Sequence, residues 1–199
     1  CPMNDQTCSA AAAGGHLDVL KWAHANCCPW GMFTCYHAAR GGHMAILEWA
    51  KSANCPWGCL SISGAAEIGH LDICEWLLEN RCPRDGFEFL QAAAGGHLHI
   101  LKWLHHHAFT WSKYTCSEAA KRGNVEILEW LRLHGCPWDD LSYEMASVGG
   151  HIETLEWLRS NGCPVTSNAC AGAATGGQMK TLKWLRSNGF PWNEDTCHA

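Results

Sequence analysis

The chain has 199 residues, 47% of them hydrophobic, which is ordinary for a folded protein and argues against disorder. With 14 Lys and Arg against 19 Asp and Glu the net charge is −5, so no basic field points to nucleic acid. No run approaches the roughly 18 apolar residues of a membrane span, and no signal-peptide pattern opens the chain.

A tryptophan recurs every 27 residues, at Trp22, Trp49, Trp76, Trp103, Trp130, Trp157 and Trp184. A fixed step of this size marks a stacked repeat protein. Counting positions from Cys1, a glycine holds position 15 in every copy, and position 16 is His16, His43, His70, His97, Asn124, His151 and Gln178. The reading is one repeat domain over 1–199, with seven repeats (1–27, 28–54, 55–81, 82–108, 109–135, 136–162, 163–189) and a partial eighth at 190–199. The chain has no initiator Met and begins just before a helix, so it reads as a piece of a longer array.

Each repeat opens with a short loop, Cys-Pro-Trp in the second. Position 4 is then Asn4, Gly31, Gly58, Asp85, Ser112, Asp139, Thr166 and Asn193, residues suited to a helix N-cap. Asp85 and Glu88 have the spacing of a capping box. A first helix is predicted over positions 5–14. Paired alanines such as Ala38 and Ala39 let neighbours approach closely, and the position-15 glycine supplies the left-handed stop. A second helix is predicted over positions 17–26, with acids such as Asp18 and Glu126 at its start and bases such as Lys51 and Arg132 at its end. Gly135, Gly162 and Gly189 end it in three repeats. Neither helix is long enough to stand alone, and stacking buries the apolar faces. The expected fold class is all-α, a solenoid of helix-turn-helix repeats.

The chemistry-bearing residues lie mostly on ladders. Eleven of the 14 cysteines occupy positions 1 and 8. Within one repeat these positions do not vary together: Cys55 accompanies Ile62, Cys82 accompanies Phe89, Cys136 accompanies Tyr143, and Phe109 accompanies Cys116. That pattern favours buried free thiols over disulfides or zinc. Asn124 and Gln178 replace histidine without disturbing the register, so position 16 reads as a turn hydrogen bond and not a metal ligand. His105, His106 and His107 point in different directions on a helix and cannot together hold one ion. The position-22 tryptophans read as core, and those at position 3 (Trp30, Trp57, Trp111, Trp138, Trp192) as half-buried packing. No catalytic constellation stands out from the ladders, so no enzyme, cofactor or metal is expected.

The run Thr34-Cys35-Tyr36-His37-Ala38-Ala39-Arg40-Gly41-Gly42-His43, followed by Met44-Ala45-Ile46-Leu47, resembles an ankyrin repeat, as do Asn161-Gly162 and Asn188-Gly189. The resemblance covers the whole chain. The usual period is 33; the missing residues fall where ankyrins carry a β-hairpin. Short Trp- and Cys-rich repeats of this kind resemble those of amoebae, oomycetes and large DNA viruses. The resemblance implies a non-catalytic scaffold that binds a partner protein on a concave first-helix face, in a reducing, cytoplasmic compartment. Positions 6 and 13 match the family's binding positions, and position 10 shares their helix face. The candidate contacts are Phe33, His37, Arg40, Leu60, Glu67, Phe87, Gln91, Tyr114, Glu118, Lys121, Leu141 and Met145. The partner's identity does not follow from them. End-to-end self-association through uncapped ends is the alternative, and a Cys/His metal protein or enzyme the third reading.

Overall fold

A computed structural model describes residues 4–191, so Cys1, Pro2, Met3 and the eighth-repeat residues from Trp192 onward, including the cap at Asn193, lie outside the described residues. The chain divides into two compact modules, Cys1–Thr110 and Trp111–Ala199. Among the described residues there are 14 helices and no strand.

The first module holds α1 (Asp5–Ala13), α2 (Leu17–Ala25), α3 (Met32–Arg40), α4 (Met44–Ser52), α5 (Leu60–Ile68), α6 (Leu71–Glu79), α7 (Glu88–Gly95) and α8 (Leu98–His106). The second holds α9 (Tyr114–Lys121), α10 (Val125–Leu133), α11 (Leu141–Gly149), α12 (Ile152–Ser160), α13 (Asn168–Thr175) and α14 (Met179–Ser187). In each, a first helix packs on its own second helix and on the next first helix: α1 on α3, α3 on α5, α5 on α7, and separately α9 on α11 and α11 on α13. The paired alanines make this close stacking possible; Ala38, Ala39, Ala65, Ala66, Ala92 and Ala93 are all fully buried.

The predicted helices are present within a residue or two. Asn4 Oδ1 accepts from Thr7 N at 3.2 Å, and Gly31 N and Ser112 N donate to Thr34 and Thr115 hydroxyls. The fourth repeat departs. Gly86 adopts φ +81°, and α7 starts late, at Glu88. The Asp85 carboxylate accepts from Phe87 N and from the Ser63 hydroxyl, while Glu88 Oε1 accepts from Asp85 N. The capping box is thus only half formed, because the left-handed glycine turns the Asp85 side chain onto the loop.

Position 15 is left-handed in every repeat, and the glycine there has a second duty. A Cβ at Gly42 would lie 2.8 Å from the His70 ring of the next repeat. Position 27 is also left-handed throughout, yet it is Cys27, Asn54, Arg81 and Ala108 in four repeats. An L-residue pays about 1 kcal/mol or more in that conformation, partly offset by the unfolded-state entropy of glycine. Ala108→Gly is therefore expected to stabilise by about 0.5–1 kcal/mol, read as a higher urea midpoint; a lower midpoint would contradict the strain argument.

The tryptophan ladder as a whole is not the core. Only Trp103, 9% exposed, is buried; Trp22 is 61% exposed and the other five are half-buried. The buried face of the second helices is aliphatic: Leu20, Leu47, Leu101, Leu128 and Leu155 at position 20, and Leu77, Leu104, Leu131, Leu158 and Leu185 at position 23, all fully buried. The position-22 rings instead pack on the position-3 rings of their own repeats, with centroids 5.1 Å apart for Trp30 and Trp49, 5.7 Å for Trp57 and Trp76, and 5.8 Å for Trp138 and Trp157. They roof the loops. Where Arg84 replaces the loop tryptophan, its guanidinium lies 3.8 Å over the Phe109 ring.

Candidate functional site

The exposed edges of the first helices carry the off-pattern residues. In the first module, Phe33, His37 and Arg40 follow one another along a single face of α3. Phe33 is 47% exposed at the helix start, His37 is half-buried with its ring edge-on to Tyr36, and Arg40 is exposed. On the same face of α5, Leu60 and Glu67 are half-buried while Gly64 between them is buried beneath the Tyr36 ring. Phe87 sits just before α7, at its N-cap, and is 55% exposed; Gln91 on α7 is half-buried. In the second module Tyr114 opens α9 at 50% exposure, with Glu118 and Lys121 half-buried along the helix. Leu141 and Met145 occupy the equivalent half-buried places on α11.

Much of the charge on these edges is already paired. Arg40 Nη2 and Nε lie 2.9 and 3.1 Å from the Glu67 carboxylate of the next repeat, a two-pronged ion pair across the α3–α5 seam. Both groups remain solvent-exposed enough that the pair adds little stability. Glu118 is shared by Lys121 and Arg122 at 3.9 and 3.6 Å. The uncharged remainder, Phe33 and Phe87 in the first module and Tyr114 in the second, is about half exposed to solvent. On these first-helix edges two exposed apolar residues escaped the sequence reading: Met32, at a position that is mostly polar elsewhere, and Ile68, where most repeats have glycine. Ile68, Ala13, His37, Arg40 and Gly41 line a shallow cleft of about 310 Å³.

The histidine ladder is structural, as its replaceability indicated. His43 Nε2–H donates to Ala13 O at 3.0 Å, Gln178 Nε2 to Val148 O at 3.4 Å, and His97 bonds the Glu67 carbonyl. Each tie runs from position 16 to position 13 of the preceding repeat. Burial, then the neighbouring His99, holds the His97 pKa below the usual imidazole range. Among the described residues no group of three or more His, Cys, Asp or Glu is placed to hold a metal ion, and no helix is long and apolar enough to cross a membrane.

Helix pairs stacked in this way, tied from position 16 to the preceding repeat, make an all-α solenoid of helix-turn-helix repeats. Residues 65–105 match the family described as ankyrin repeats (many copies). The chain is similar in structure to the crystal structure of the human ASB11 ankyrin repeat domain, with a TM-score of 0.55 and 18% identity, over 78% of this chain and 83% of that one. No curated protein matches the chain in sequence. Residues 65–105 are thus ankyrin repeats, and the chain has the ankyrin-repeat fold.

Proposed function

We propose that the chain is a non-catalytic scaffold that binds a partner protein along its first-helix edges, anchored by the aromatic residues at position 6. The observation that carries this is the exposure of Phe33, Phe87 and Tyr114, each about half open to solvent while the surrounding ladders are buried. Large rings left half-exposed on a rigid face are the side chains that supply most binding energy at protein interfaces. The residues beside them, His37, Gln91 and Met145, differ from repeat to repeat, which gives each stretch of the edge its own chemistry.

The double substitution of Phe87 and Tyr114 by serine separates binding from packing. Stability is expected to change by no more than about 0.5 kcal/mol per site, because both rings are exposed. Loss of two interface anchors is expected to weaken partner binding by at least about 30-fold. The measurement is a thermal melt alongside quantitative recovery of partner proteins from a lysate of the source organism. A large drop in melting temperature would assign position 6 to the core; unchanged recovery would remove it from the interface.

A further inference from the structure

Cysteines at positions 8 and 1 meet across repeat boundaries. The position-1 sulfur of one repeat lies against the first turn of the preceding repeat's first helix: Cys28 Sγ is 3.2 Å from Asn4 O, Cys55 Sγ 3.6 Å from Gly31 O, and Cys136 Sγ 3.7 Å from Ser112 O. Position 8 is buried in that same turn, at Cys8, Cys35 and Cys116. In Cys8–Cys28, Cys35–Cys55 and Cys116–Cys136 the position-1 sulfur is therefore a close neighbour of the position-8 thiol and, together with burial, raises its pKa. The earlier comparison within a single repeat missed this, because the partner is one repeat further on. In the offset register three of the seven pairs are Cys–Cys and Phe89 faces Phe109, while Ile62–Cys82, Tyr143–Cys163 and Cys170–Phe190 set one cysteine against a larger side chain.

We infer that these three pairs are dithiol sites that close into inter-repeat disulfides when the protein meets a disulfide oxidant such as oxidised glutathione. The position-1 thiolate attacks one glutathione sulfur, forming a mixed disulfide and releasing one glutathione thiolate. The position-8 thiolate then attacks the position-1 sulfur, forming the protein disulfide and expelling the second glutathione. Two protein thiols and one oxidised glutathione thus yield one disulfide and two reduced glutathiones. The first attack falls to position 1 because Cys28 and Cys55 are 4% exposed where Cys8 and Cys35 are fully buried; in the Cys35–Cys55 pair the Cys55 pKa is also lowered, while its neighbour and burial drive Cys35 up. Burial and the Cys28 thiol push Cys8 up to about 12. The folded, reduced stack therefore resists oxidation, and closure takes place during folding or local opening. Closed, the bonds staple the first repeat to the second, the second to the third, and the fifth to the sixth.

The test unfolds the full chain in urea with dithiothreitol, then refolds it by dilution into a reduced and oxidised glutathione buffer. Remaining thiols are trapped with N-ethylmaleimide and the digest is mapped by mass spectrometry. The expected result is three linked peptide pairs, 8–28, 35–55 and 116–136, with Cys74, Cys82, Cys163 and Cys170 trapped as free thiols. The oxidised protein should melt about 5–10 °C above the dithiothreitol-treated protein. Cys55→Ser should remove the middle bond alone. Mapping protein treated with diamide in urea just below the unfolding transition, where the repeats open locally, gives the same reading if refolding yields are poor. All six thiols trapped free, or cross-links spread over Cys27 and the other cysteines, would overturn the inference.

Discussion

Gly95→Ala is expected to destabilise the protein by about 2–3 kcal/mol, although alanine is the better helix former. Helix propensity alone favours the substitution by about 1 kcal/mol. Against it stands the seam between α5 and α7: a Cβ at Gly95 would lie 2.0 Å from the Glu67 carbonyl oxygen and 2.5 Å from His97 Cδ2. The imidazole can swing away, but the carbonyl belongs to a helix backbone and is also the His97 acceptor. Overpacking of this kind costs about 1–3 kcal/mol or more; here it also strains the tie between the two repeats, so the clash wins. Ile68 and Arg122 occupy the same repeat position, which shows that a seam built around a side chain is possible and keeps the estimate moderate. The thermal midpoint should fall by about 4–12 °C. An unchanged or raised midpoint would mean that the seam relaxes freely.

The second large effect is a contrast. Leu101→Ala is expected to cost about 2–5 kcal/mol, because Leu101 is fully buried and its removal leaves a cavity within the α7–α8 pair. Trp22→Ala, which deletes a far larger side chain, is expected to cost less than about 1 kcal/mol, since Trp22 is 61% exposed. Urea denaturation of the two variants decides it. The reverse order would restore the tryptophans to the core.

The helical pairs, the glycine turns and the close alanine packing were legible because each is a local property repeated seven times. Asn4 shows its cap in the sequence, and His43 shows its turn role through the glutamine that replaces it at 178. The tryptophans were misread because recurrence reports packing without saying on which side of the helix it occurs. Their partners come both from the loop, as Trp30 for Trp49, and from side chains of the preceding second helix, as His24 for Trp49 and Glu129 for Trp157. Arg40 and Glu67 were both selected as contacts for a partner, yet they spend their charge on each other. Their opposite signs at one repeat position, 27 residues apart, were the available clue. The strained backbone at Ala108 had a clue too, in the glycines at 135, 162 and 189. The candidate edge itself was legible only as variability; exposure of Phe33, Phe87 and Tyr114 depends on how closely the first helices stack, which no single repeat encodes.

The cross-repeat ties from side chains onto backbone carbonyls have a sense of direction. His43 reaches back to Ala13, Gln178 to Val148, Cys28 to Asn4 and Cys136 to Ser112, so in each case the later repeat brings the donor and the earlier one holds the acceptor. The ribosome delivers the chain in that same order. Each emerging repeat thus meets a carbonyl already fixed on a folded surface, and assembly can proceed like a zip closed from the amino-terminal end.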